Sequence, residues 1–187
     1  MVEDNYSKII CYNNTSLCKY LEKEQLVLVG GCFDLLHYGH IQFLRKAKAQ
    51  GKHLIIALEP DETITNYKKR RAIHSQLQRA EILSSLSFVD KVIMLPLLKG
   101  FDDYNQLVQN ICPSIIAVTK NDPQLSNKRI QAKLIGAQLI EVTDLVKNQE
   151  IQVVFSTDNI LNMIDSYDQK MDYAYPKLAR SYGSFDD

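Results

Sequence analysis

The stretch from Leu26 to His40 reads LVLVGGCFDLLHYGH, and it decides the fold. Leu26, Val27, Leu28 and Val29 form an unbroken apolar run, the pattern of a strand buried on both faces. Gly30 and Gly31 close the run, Cys32, Phe33 and Asp34 follow, and from Gly39 onward the apolar residues fall at helical spacing. His37 and His40 therefore stand at i and i+3 across a helix start, with Gly39 just before the second. A helix N-terminus offers backbone N–H groups without intrahelical acceptors and the positive end of a dipole, which together favour an anion. Gly39 lets the backbone come close to a phosphate oxygen with no Cβ in the way. Two imidazoles, a glycine and a cluster of amides at a strand-to-helix junction make a seat for a polyphosphate. Taken singly, either histidine reads as an ordinary hydrogen-bonded side chain. A metal site would need a third ligand from His53, His74 or a carboxylate.

Outward from this segment the same alternation repeats. A helix is expected over residues 39–50, with Ile41, Leu44 and Ala47 at helical spacing and Gly51 as its stop. Strands are expected at 53–58 (HLIIAL), 91–95 (KVIML), 114–118 (SIIAV) and 138–142 (QLIEV). Between them lie helices at 75–86, 103–111 and 126–135. The first has Leu77, Ala80, Leu83 and Leu86 on its inner face, and Ser75 with Gln78 has the form of a capping box. The second places Tyr104, Leu107, Val108 and Ile111 on one face before Pro113, and the third is closed by Gly136. Short apolar runs alternating with amphipathic helices predict an α/β fold: a Rossmann-like, doubly wound, five-stranded parallel sheet covered on both faces. Ligands bind such sheets at the C-terminal ends of the strands, where the GGCFD segment emerges. The expected organisation is an N-terminal extension over 1–24 with a short helix near 16–22 that packs on the domain, a single domain over 25–165, and a tail over 166–187 carrying Tyr167, Tyr173, Tyr175 and Tyr182.

At 187 residues the chain supports one domain with a substantial core. A formal net charge of zero and a pI near 6.9 speak against a general nucleic-acid or anionic-membrane binder. No apolar run reaches transmembrane length, and the first 25 residues lack the apolar core of a signal peptide. Cys11, Cys18, Cys32 and Cys112 have no zinc-type or CxxC spacing, so free thiols in a reducing cytoplasm are expected.

The motif G-x-F-D-x-x-H-x-G-H, here Gly31 to His40, resembles the HxGH nucleotidyltransferases. These small adenylyl- and cytidylyltransferases join a nucleoside monophosphate to a phosphorylated acceptor and release pyrophosphate. The resemblance extends from about residue 26 to 164. Lys68, Lys69, Arg70 and Arg71 followed by Ala72-Ile73-His74-Ser75 and Arg79 are similar to the basic segment and helix of glycerol-3-phosphate cytidylyltransferases. Val89-Asp90-Lys91-Val92 looks like the family's VD-x-V start of a strand, and Phe155-Ser156-Thr157-Asp158 like its late S-T helix start. Taken alone, the KKRR run would be a solvated face and Ser156-Thr157 an ordinary N-cap. Asp34 reads equally as a loop-holding side chain and as a ligand contact.

By this resemblance His37, His40 and Lys68 are catalytic. Gly31, Cys32, Phe33, Gly39, His40, Arg79, Asp122, Ser156 and Thr157 bind nucleotide, and no protein-held metal is implied. The two imidazoles hold the triphosphate and stabilise charge on the α-phosphoryl group, Lys68 meets the substrate phosphate, and Arg79 binds or positions phosphate. Magnesium, a nucleoside triphosphate (ATP or CTP), a phosphorylated small-molecule acceptor and a homodimer are implied as partners. The acceptor's phosphate oxygen is already anionic, so no general base is needed. The work is positioning and the countering of negative charge.

The sequence departs from two subgroups in identifiable places. Ile151-Gln152-Val153-Val154-Phe155 precede Ser156-Thr157 without the arginine and glycine of the cytidylyltransferases' R-T-x-G-x-S-T. The heptose-phosphate adenylyltransferases also lack that arginine, but their K-G-G-D-Y is replaced by Thr119-Lys120-Asn121-Asp122-Pro123, with Asp122 alone in register. Adenylyl transfer to a sugar or polyol phosphate, such as heptose 1-phosphate, is therefore expected ahead of a glycerol-3-phosphate-type cytidylyl transfer. A regulatory nucleotide-binding module without turnover is the alternative from another class.

Overall fold

The computed structural model describes residues 5–17, 24–120, 122–142, 158–162 and 164. Two compact units divide the chain, Met1–Lys147 and Asn148–Asp187. In the second, residues 158–162 and 164 are helical. Ser156, Thr157 and the four tail tyrosines lie outside the described residues, as does most of the helix expected near 16–22.

The first unit is a parallel sheet between two helical layers. A 3-10 turn, Asn5–Lys8, leads into β1 (Ile9–Cys11), and β2 (Leu26–Gly31) runs to the loop before α1 (Tyr38–Lys48). Then come β3 (His53–Leu58), α2 (Asp61–Lys68), α3 (Gln76–Ser84) and β4 (Lys91–Met94). The unit continues with α4 (Phe101–Ile111), β5 (Ile115–Val118), α5 (Leu125–Ile135) and β6 (Gln138–Glu141).

The strand order is β1-β4-β3-β2-β5-β6, all parallel. From β2 the chain winds one way through β3 and β4, then crosses to the other side for β5 and β6. The order therefore reverses beside β2, and a crevice opens at such a switch point at the C-terminal ends of the strands.

Alternate residues of each strand feed opposite layers, as the period of two requires. Leu26, Leu28, Ile55, Ala57, Ile93 and Ile116 pack with Leu107, Val108 and Ile111 of α4 and Ala132 of α5. Val27, Val29, Leu54, Ile56, Leu58 and Val92 pack with Leu44 and Ala47 of α1 and Ala80 and Leu83 of α3. A Cβ on Gly51, in the turn after α1, would lie 2.2 Å from the Gln25 carbonyl oxygen, so that return to the sheet requires glycine.

The structure corrects the expected architecture at three points. The sheet has six strands, not five, because the N-terminal segment adds β1 alongside β4 (Ile9↔Val92, Ile10↔Ile93, Cys11↔Met94). Three residues are too few to show a period, so β1 carried no local signal. Burial of Tyr12 and Leu17 in the core anchors the segment. The Tyr12 hydroxyl accepts from Asn110 Nδ2 at 2.8 Å and donates to Asn14 Oδ1 at 3.0 Å.

The second correction is α2, which apolar periodicity did not announce because Ile64 alone among its residues is buried. Pro60 at its N-cap followed by Asp61 and Glu62 was the available signal. Third, Leu77 of α3 is exposed, and the fully buried long side chain of that helix is Arg79. The Ser75–Gln78 capping box is present as expected.

Candidate active site

The site grows from the end of β2. Phe33 takes a left-handed backbone conformation (φ 45°), unusual for a residue with a large side chain, and its ring folds back over Gly31. A Cβ on Gly31 would lie 3.0 Å from Phe33 Cε2. The folded-back ring thus fills the space that a side chain at Gly31 would need. The Phe33 ring also lies against His40, with centroids 5.1 Å apart.

His37 is the N-cap of α1, and its Nδ1 accepts the His40 backbone N–H at a long 3.4 Å. With Nδ1 an acceptor, the neutral ring carries its proton on Nε2. The two imidazoles stack, with centroids 3.7 Å apart and planes 22° from parallel. Burial lowers the His37 pKa. His40 is pushed down to about 4, by burial first and by the neighbouring His37 second, with the Leu35 backbone opposing. Both shifts favour the neutral rings at pH 7, which leaves oriented hydrogen-bonding groups rather than fixed cations at the helix start. His40 Nδ1 is buried and has no hydrogen-bond partner among the described residues. Gly39 is buried in the first turn of α1, where the amides have no intrahelical acceptor.

Cys32 is no nucleophile. Burial first, then the Glu59 carboxylate, pushes its thiol up to about 11, and the cations Arg79 and Lys68 only partly oppose this. Lys68 is the last residue of α2 and is exposed, and its charge weakly favours the Cys32 thiolate.

Arg79 is enclosed. Its Nε donates to the His74 carbonyl at 3.1 Å, Nη1 donates to the Cys32 carbonyl, and Nη2 meets Asp61 Oδ1 at 2.6 Å. At 1% exposure, with all three nitrogens engaged, Arg79 braces the loop, α2 and the start of α3 together. Of the two roles implied for it, positioning is the one this geometry suits.

Asp34 holds the basic segment. Its Oδ1 accepts from the backbone N–H groups of Ile73 at 2.9 Å and His74 at 3.3 Å, and its Oδ2 pairs with Arg70. Asp122 sits across the switch point, after β5. It accepts from the Gln124 N–H at 2.8 Å and pairs with Lys128 at 2.7 Å, so its carboxylate organises the start of α5. Both acids are therefore occupied in shaping loops.

One side chain at this edge escaped the sequence reading. Glu59 follows the last residue of β3, and its N–H donates to the Gly31 carbonyl at 3.1 Å. Its carboxylate accepts from Tyr104 Oη at 2.9 Å and Thr63 Oγ1 at 3.2 Å. Burial raises its pKa, and those two hydrogen bonds, with Lys128 and Arg79, act against the rise. The available signal was an acid placed directly after a six-residue apolar run, at the sheet edge that binds ligands.

Among the described residues, no group of three or more His, Cys, Asp or Glu is placed to hold a metal ion. No helix among them is long and apolar enough to cross a membrane.

Comparison with known proteins agrees with this geometry. A family profile described as cytidylyltransferase-like matches residues 28–168. The chain is 34% identical over 139 residues to FAD synthase of Thermococcus sibiricus, covering 70% of this chain and 91% of that one. It is 36% identical over 151 residues to the bifunctional protein HldE of Helicobacter pylori, covering 79% of this chain but 30% of that longer protein. Among solved structures, a lipopolysaccharide core biosynthesis protein from Thermoplasma volcanium superposes with a TM-score of 0.55 at 26% identity, over 66% of this chain and 99% of that one. A pantoate-beta-alanine ligase from Francisella tularensis, at TM-score 0.53 and 17% identity, shares the fold. With the histidine pair at the switch point and a family match across most of its length, the chain belongs to the cytidylyltransferase-like nucleotidyltransferases.

Proposed function

We propose that the protein transfers AMP from ATP, in preference to CMP from CTP, to a phosphorylated polyol or sugar and releases pyrophosphate. The observation that carries this reading is the neutral, stacked pair His37 and His40 on the first turn of α1, with the buried His40 Nδ1 unpartnered among the described residues. Neutral rings donate hydrogen bonds to triphosphate oxygens without requiring a second buried charge. They strengthen those bonds as charge grows on the α-phosphoryl group. Lys68 supplies positive charge from the rim, Arg79 and Asp34 keep the loops in register, and the acceptor phosphate attacks without a base. Ser156 and Thr157 remain part of this reading as amides and hydroxyls for the terminal phosphates.

A magnesium ion belongs to the same proposal. In this reading the ion is carried on phosphate oxygens, the usual habit of that cation. When bound it neutralises charge on the triphosphate and on the leaving pyrophosphate.

The adenylyl preference draws on the missing arginine before Ser156 and on the FAD synthases, whose product contains adenine. The likeness to FAD synthase over 91% of the Thermococcus protein motivates a second acceptor to test, FMN, which is itself a polyol phosphate bearing a ring. The test is pyrophosphate release with ATP or CTP across glycerol 3-phosphate, sugar 1-phosphates and FMN, with His40→Ala as control. Release that survives His40→Ala undiminished removes the mechanism, and faster turnover with CTP reverses the nucleotide preference. A homodimer completes the proposal, and a monomer by light scattering at high micromolar concentration would contradict it.

A further inference from the structure

Among the described acids at the C-terminal edge, Glu59 is partly buried yet has no direct ion pair, and Lys128 and Arg79 act on its charge only from beyond contact distance. Asp34 pairs with Arg70, Asp61 with Arg79 and Asp122 with Lys128. Glu59 forms no ion pair with any described lysine or arginine and accepts from two neutral hydroxyls instead, Tyr104 and Thr63. These come from two different helices, α4 and α2, so the carboxylate is fixed by two separate elements. A carboxylate accepts about four hydrogen bonds, which leaves roughly half its capacity open. A partly buried carboxylate in that state is costly until further donors arrive. Its backbone is bonded to Gly31, so it stands beside the loop that carries the histidines rather than at a remote surface.

We propose that Glu59, oriented by Tyr104 and Thr63, recognises the acceptor by accepting hydrogen bonds from hydroxyl groups on the carbon chain that bears its phosphate. The assignment rests on the nucleotidyl-transfer reading and narrows its substrate to a polyhydroxylated phosphate. The acceptor's own negative charge lies away from Glu59, toward the α1 amides and Lys68, and the hydroxylated chain runs toward β3. Tyr104 and Thr63 are positioning residues. They hold the carboxylate's orientation and leave its remaining lone pairs for the ligand.

The experiment is calorimetric titration of the full-length protein, saturated with a non-hydrolysable ATP analogue, using ribitol 5-phosphate, propyl phosphate and phosphoethanolamine. The wild type should bind ribitol 5-phosphate about ten- to a hundredfold more tightly than propyl phosphate, the range expected for hydrogen bonds to a charged group. Glu59→Gln should remove most of that preference while affinity for the ATP analogue stays within about twofold. Glu59→Asp keeps the charge on a shorter arm and should fall between, and Tyr104→Phe should weaken the preference less than Glu59→Gln. Equal wild-type affinity for ribitol and propyl phosphates overturns the assignment without recourse to any variant. Tighter binding of phosphoethanolamine overturns it in favour of an amine-bearing acceptor. Retention of the ribitol preference in Glu59→Gln overturns it as well, with nucleotide binding left standing. Failure of the wild type to bind the ATP analogue brings down the nucleotide reading itself.

Discussion

At the N-terminal end of the strands, Asp90 Oδ2 accepts from Lys48 Nζ and from the Leu54 N–H, both at 2.7 Å. Its other oxygen lies 3.8 Å from His53 Nδ1. Gly51 presses against the Gln25 carbonyl, and the Lys52 N–H donates to that same oxygen at 3.0 Å. At the C-terminal end, Phe33 is held in a left-handed conformation, two neutral imidazoles stack, and among the described residues His40 Nδ1 lacks a hydrogen-bond partner and Glu59 lacks an ion pair. One end has its polar groups answered by the chain, and the other keeps several for something else.

The helix starts repeat the contrast within one layer. Ser75 and Gln78 close a reciprocal capping box on α3, with bonds of 3.4 and 2.9 Å, whereas α1 begins on a histidine that accepts the His40 N–H at 3.4 Å with no reciprocal partner at the N3 position. Unsatisfied buried groups and backbone strain lower stability, and they persist where binding or catalysis uses them.

The sharpest way to break this comparison is His40→Ala. Pyrophosphate release in a steady-state assay should drop by about 100- to 1000-fold, the cost of one transition-state donor, with the fold intact by circular dichroism. A small drop would make the two ends alike.

A second measurement concerns pH. The native His40 pKa is about 4, below the unfolded reference of 6.5, so the unfolded chain takes up the proton first as pH falls. Stability is therefore full above about pH 6.5 and declines toward pH 4, by up to about 3 kcal/mol for this group. His37 is shifted in the same direction and adds to the slope. Urea unfolding from pH 7.5 to 4 should show the decline, and His40→Gln should flatten it. An unchanged slope in that variant would place the titrating group elsewhere.

The opposite end should answer only in stability. Gly51→Ala puts a Cβ against a backbone oxygen, and relieving that clash should cost about 1–3 kcal/mol in urea unfolding. Turnover per folded molecule should not change. Ser75→Ala, which opens the capping box, should cost about 1 kcal/mol, with little change in either KM. A large catalytic loss from Gly51→Ala would mean that the two ends are coupled through β2.

Much of the sheet was legible because each buried strand is a short run of branched apolar residues and each helix that covers it has a regular stripe. The histidine pair was legible because strand, glycine turn and helix start coincide within fifteen residues, Leu26 to His40. Helix α2 and strand β1 were not, since one buries a single side chain and the other spans three residues. The choice between the two roles for Arg79, and the presence of Glu59 at the site, were not legible for the same reason. A charged residue looks alike in a sequence whether it is braced by a carbonyl, a carboxylate or nothing.

The sequence by itself determined the alternation of strand and helix, the parallel sheet and the position of the phosphate-binding turn, because each depends on neighbours within a few residues along the chain. Tertiary structure alone decided that both imidazoles are neutral, that Arg79 and Asp34 brace loops, and that Glu59 is held by two hydroxyls and not by a direct ion pair. Those outcomes depend on burial and on partners 18 to 47 residues away in the chain, as in Arg79 with Asp61 and with Cys32. Dielectric surroundings and hydrogen-bond partners come into being only when those distant segments meet.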